Sequence, residues 1–240
     1  MSRSNPTTNN THVCTRWHEW GGSDGVVKYY DKTAGKNIEV ADGFTFIVLD
    51  QLATIKGWHD ASDSGIHSNE VRDTRAEPFI VKSFKGGQIA EGFYAQIRDK
   101  VNAMGGNYVT NVYIAYRKDG ELAIGSIQFK GAALNSWVEF TKANREAINT
   151  KAVKISGYTE GKKGKIVFRT PNFKVSEITE EANEQAIALD EELQEYLKGY
   201  FSKPTTQRTT HEQEPAESTG IPDDPAEAAP TDPDETDPPF

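Results

Sequence analysis

One cysteine among 240 residues is too few for a disulfide framework, and Cys14 alone cannot build a multi-cysteine zinc site. No apolar run approaches the roughly 18 residues of a membrane-spanning helix. The opening MSRSNPTTNNTH has no apolar core of a secretory leader. These absences set the expectation of a soluble, cytoplasmic chain with no membrane partner. There is no phosphate-cradling glycine loop, no G-x-S-x-G and no HExxH, so no catalytic residue, cofactor or metal is expected. No repeat of solenoid period is present.

Charge is present but segregated. Residues 204–240 hold ten acids against Arg208 alone, which accounts for the whole formal charge of −9. The remaining 26 acids and 26 bases balance, so the low isoelectric point does not argue against a nucleic-acid site on the folded part. The same segment carries eight of the eleven prolines and only two large apolar residues, Ile221 and Phe240. It cannot bury enough surface to offset chain entropy. The reading is a disordered arm over 1–15, a folded domain over 16–201 and a disordered acidic tail over 202–240.

Strand signals dominate the folded part. VVKYY at 26–30 and KNIEV at 36–40 flank the turn DKTAG. A β-prone run begins at 43–57, and PFIVKSF at 78–84 is another strand. The segments 107–116 and 122–130 flank RKDGE, and 151–158 and 165–170 flank TEGKKG, two further hairpins. Helices are expected at 91–104, stopped by Gly105 and Gly106, at 133–149, and at 180–201. The last begins after Thr179 with Glu180 and Glu181 in its first turn, and Ala186, Leu189, Leu193, Leu197 and Tyr200 recur at helical spacing. Paired hairpins argue against a parallel α/β fold. The expected class is β-rich α+β: an OB-like five-stranded Greek-key barrel with helical insertions.

The terminal Asp234-Glu235-Thr236-Asp237-Pro238-Pro239-Phe240 places one phenyl ring and the terminal carboxylate beyond an acidic stretch. Such a tip can seat its ring in an apolar pocket rimmed by Lys or Arg, and the prolines lower the ordering cost. Asp234, Glu235, Asp237, Pro238, Pro239 and Phe240 are the partner-binding candidates. This ending resembles bacterial single-stranded DNA-binding proteins, whose tip reads Asp-Asp-Ile-Pro-Phe; the acid–Pro–Phe order is kept, with Pro238 at the isoleucine position. The segments Gly57–Gly65, Ser68–Thr74 and Gly157–Gly164 are similar to phage-type single-stranded DNA-binding proteins. The resemblance implies an OB fold, binding without strong sequence preference, and recruitment of replication or recombination proteins in the host cytoplasm.

Sequence-tolerant single-strand binding needs rings for stacking and bases along the phosphates. In the strand at 78–84, Ile80, Lys82 and Phe84 share a face, with Lys85 following. In that at 107–116, Tyr108, Val112, Ile114 and Tyr116 share one face, with Tyr116 a stacking candidate at its end beside Arg117. Gly161-Lys162-Lys163-Gly164-Lys165 is the densest basic cluster, with Tyr158 and Arg169 on the adjoining strands. Trp58 is read in a polar loop, near Arg72 and Arg75. Trp17, Trp20, Tyr29 and Tyr30, with Arg16 and Lys28, form a weaker group.

Two rival classes stand beside this reading. His59, Asp60, Asp63, His67 and Glu70 lie close in sequence and suggest a metal-dependent nuclease, although their spacing matches no mechanism-bearing motif. The tail alone also suits an acidic adaptor or decoy that binds only proteins.

Overall fold

The computed structural model describes residues 12–208. Its strands are set first by local turns. Strand β1 (Trp17–Gly21) pairs antiparallel with β2 (Val26–Asp31), and β2 with β3 (Lys36–Glu39). The second turn closes because the Asp31 carboxylate accepts from the backbone N–H groups of Thr33 and Ala34, at 2.8 and 3.0 Å. Next come β4 (Thr45–His59), β5 (Ser64–Ser68), β6 (Phe79–Ser83) and β7 (Gly87–Gly92). Helix α1 (Tyr94–Ala103) follows, then β8 (Gly106–Lys118) and β9 (Glu121–Lys130). The β8–β9 turn uses positive φ at Asp119 and Gly120, as a tight hairpin requires. Helix α2 (Gly131–Ala143), β10 (Ala152–Lys163), β11 (Ile166–Ser176) and α3 (Glu180–Phe201) complete the order.

All eleven strands join one sheet, ordered β3-β2-β1-β9-β8-β4-β5-β6-β7, with β10 attached to β4 and β11 to β10. The β1–β9 pair is parallel; the other pairs of strands are antiparallel. This overturns the expectation of a five-stranded OB-like barrel: the sheet is mixed, open and more than twice that size. The cause lies in β4. It lines β8 along most of its length, while its other edge is divided between β10 at Thr45–Ile47 and β5 at Gly57–His59. The sheet therefore branches instead of wrapping on itself. Three strands, β1, β5 and β7, were not expected; β5 and β7 are short and rich in Ser and Gly, which carry little strand propensity.

A bulge between Val48 and Asp50 reverses the side-chain parity of β4. As a result Phe46 and, past the bulge, Ala53 and Ile55 point to the same front face. That face carries two cores. One is built around Trp137 of α2 with Phe46, Val112, Ile114, Tyr116, Ile127, Phe129 and Phe173 of β11. The other joins Ala53, Ile55, Ile66, Phe79 and Val81 to Ile97 and Val101 of α1. The back face is covered by α3, whose Leu193 and Leu197 pack with Leu52, Tyr113 and Ile124. Burying each leucine contributes about 1.5–3 kcal/mol. Helix α3 spans the predicted 180–201, capped by Thr179 Oγ1, which accepts from the Ala182 N–H at 3.2 Å.

A buried carboxylate helps lock α3 down. Glu70 is 5% exposed and accepts from Asn111 Nδ2 at 2.7 Å and the Tyr113 hydroxyl at 2.6 Å. Its backbone N–H donates to the hydroxyl oxygen of Tyr200 on α3 at 2.8 Å. Burial first, and the nearby Glu70 charge second, push the Tyr113, Tyr196 and Tyr200 hydroxyls up, so all three keep their protons. Fixed donors of this kind are what make a buried carboxylate tolerable.

Candidate nucleic-acid interface

The back face is not covered along its whole length. On β4 the apolar cluster under α3 includes Leu49 and Leu52. Beyond them the same face of the strand carries Lys56 and Trp58, both half-buried. Trp58 lies within β4, not in the polar loop read from the sequence, and pairs with Gly65 of β5. On the far side of Gly65 stands Phe84, whose N–H donates to the Gly65 carbonyl at 3.1 Å. One row therefore reads Trp58–Gly65–Phe84, with the two rings two strand spacings apart, roughly 10 Å. The adjoining row reads Lys56–His67–Lys82, from the registers of β4 with β5 and β5 with β6. The His67 and Phe84 rings stack with centroids 4.4 Å apart, which confirms that the two rows share a face.

The opposite side of these strands is core. Ile55, Ile66, Val81 and Ser83 are buried, while Phe84 is 38% exposed. Three strands pinned from below thus hold Trp58, His67 and Phe84 on a solvent-facing platform flanked by Lys56 and Lys82. Gly65, between Trp58 and Phe84 in the row, adds no side chain of its own and is itself buried. Lys85 borders the platform, with its Nζ donating to the Asp63 carbonyl at 3.1 Å. The structure thus brings together Trp58, Lys82, Phe84 and Lys85 from the sequence candidates. Lys56 and His67 were missed as members; the alternation of Thr54, Lys56 and Trp58 was the available signal.

A second group sits on the β10–β11 hairpin. A bulge between Ile155 and Tyr158 bends it. Beyond the bend it is tied to the β1–β2 turn: the Arg169 N–H donates to the Gly22 carbonyl at 2.7 Å, and Trp20 Nε1 donates to the Arg169 carbonyl at 2.8 Å. The Arg169 guanidinium binds the Ser23 carbonyl, faces Glu160 Oε2 at 3.5 Å and lies 5.1 Å from the Tyr158 ring centroid. Arg169 and Tyr158 thus anchor the hairpin. Past them Lys162, Lys163 and Lys165 are exposed, together with Ile166 and Val167. The stretch 152–176 carries six bases and one acid, whereas α3 carries seven acids and one base. The neutral folded part is therefore strongly polarised.

The two groups spring from opposite ends of β4. Ten residues separate Ile47, beside β10, from Gly57, beside β5, roughly 33 Å of strand. Four remaining candidates join neither group. Tyr116 is 2% exposed inside the α2 core, so it is not a stacking ring; burial is also what raises its hydroxyl. Arg117 donates to the Gly120 carbonyl at 2.7 Å in the β8–β9 turn. Arg72 grips Asp50 with two bonds of 2.9 and 2.7 Å beside α3, and so its charge is answered within the fold. Arg75 lies in the adjacent loop, its N–H bonded to Asp73 Oδ1.

The nuclease cluster does not assemble. His59 Nδ1 contacts Ser62 Oγ at 2.7 Å, His67 stacks on Phe84, and Glu70 is buried beneath α3. Among the described residues no group of three His, Cys, Asp or Glu side chains is placed to hold a metal ion. In the weaker aromatic group Trp17 and Trp20 serve the cores, Arg16 covers the Tyr29 ring at 4.4 Å and Tyr30 is 45% exposed. The tail candidates Asp234, Glu235, Asp237, Pro238, Pro239 and Phe240 lie outside the described residues. No helix among the described residues is long and apolar enough to cross a membrane. Comparison with protein families, with curated proteins and with solved structures finds no match.

Proposed function

We propose that this protein binds single-stranded DNA, largely without sequence preference, on the Trp58–His67–Phe84 platform. The observation that carries the reading is that three rings and two lysines from three adjacent strands share one solvent-facing patch. Every base has a π-face, so a ring platform accepts any sequence, and lysines beside it answer the phosphates. The acidic terminal segment then serves as the hook for replication or recombination proteins, with Phe240 as its apolar point.

The test is a titration of labelled oligo-dT in low salt, with Trp fluorescence as a second readout. Stacking is worth about 1–3 kcal/mol per base, so Trp58→Ala and Phe84→Ala should each weaken binding roughly 5- to 150-fold. Both side chains lie on the solvent side, so the melting temperature serves as the folding control. Wild-type protein that ignores oligo-dT in dilute buffer, or folded variants that bind as tightly as wild type, would sink the proposal.

A further inference from the structure

The tip of the β10–β11 hairpin has a shape and chemistry that the platform does not use. Beyond the Arg169 anchorage three register pairs remain: Gly161 with Phe168, Lys162 with Val167 and Lys163 with Ile166. They form a two-stranded ribbon roughly 10 Å long, closed by Gly164 at positive φ. The Phe168 ring lies over Gly161, where a Cβ would come within 2.5 Å of it, so the two strands are clasped across the ribbon. Ile166 and Val167 are 40% and 42% exposed at its end, an unusual place for two β-branched aliphatic side chains. Lys162, Lys163 and Lys165 surround them.

Charge decides which partner suits this tip. An acid-free run of three lysines around an apolar point is suited to a polyanion with an apolar interior. Duplex DNA offers both: phosphates along the rims of its major groove, and base edges with thymine methyl groups on its floor. The groove is roughly 12 Å wide and 8.5 Å deep and admits a two-stranded ribbon, so the length of the free tip matches its depth. We infer that the β10–β11 tip is a second nucleic-acid site, one that enters the major groove of duplex DNA. Lys162, Lys163 and Lys165 meet phosphates there, and Ile166 and Val167 meet base edges. The tip offers no side-chain amide or carboxylate at its end, so its readout is apolar and its sequence preference slight.

The test compares the full chain on a 20-base-pair duplex and on oligo-dT, with salt varied for each. Replacing Lys162, Lys163 and Lys165 with Ala should lower duplex affinity and flatten the log K against log salt slope by about 2.7, the release expected for three phosphates. Ile166→Ser with Val167→Ser should weaken duplex binding with the slope unchanged. Oligo-dT binding should survive both sets, and the tip lies outside every core, so melting temperatures should hold. Wild type that binds oligo-dT and ignores the duplex overturns this inference alone; wild type that binds the duplex and ignores oligo-dT overturns only the platform reading. Parallel loss on both ligands places the tip in the single-strand site and refutes it. A fall in oligomer size in the serine variants, seen by sedimentation, makes the tip a contact between copies and also refutes it.

Discussion

His18 is 2% exposed, and its ring is packed between Tyr116, Phe44 and Tyr29 with centroids 4.8, 4.9 and 5.7 Å away. Its Nδ1–H donates to the Ser126 carbonyl at 3.0 Å. Burial lowers its pKa from 6.5 to about 4; the Ser126 carbonyl opposes this and the Arg16 charge adds to it. The folded state therefore binds the proton less readily than the unfolded chain does. The contribution to stability is complete above pH 6.5 and is lost as pH falls from 6.5 towards 4. Below that, both states are protonated and nothing further is lost. Full expression is worth about 3 kcal/mol, and the part reached by pH 5 is about 2 kcal/mol. The assay is urea unfolding followed by Trp fluorescence at pH 7.5 and pH 5. His18→Gln keeps an N–H for the Ser126 carbonyl and cannot titrate. Wild type should lose about 2 kcal/mol more than this variant between the two pH values, a comparison that cancels the carboxylates common to both. Equal losses would refute the argument that the ring is held neutral by burial.

Removing residues 209–240 should tighten oligo-dT binding at low salt, because ten acids and no base leave with them, turning the net charge from −9 to +1, while Arg208 keeps its 2.8 Å bond to Glu77. Equal affinity with and without the segment would rule out competition between it and DNA. Gly25→Ala should destabilise the fold by at least about 1 kcal/mol, since φ is +73° there and a Cβ would come within 2.6 Å of the Tyr158 ring. A wild-type melting temperature in that variant would show that the hairpin anchorage has slack.

The hairpins and helices were legible because their signals are local. Asp31–Gly35 turns through its own aspartate, Gly120 closes β8–β9, and Thr179 starts α3 where the apolar period begins. Charge segregation could likewise be counted from the chain alone. The architecture was not legible, because it depends on which edge of β4 each hairpin meets and on a one-residue bulge near Leu49. That bulge inverts parity for every residue after it, so it decides that Ile55 enters a core while Trp58 faces solvent. Tyr116 shows the same limit, since a strand-end aromatic reads alike whether a helix covers it or not, and here α2 does. The platform is likewise a product of tertiary pairing: Trp58, His67 and Phe84 become neighbours only through backbone hydrogen bonds between three strands, at separations that no local pattern records.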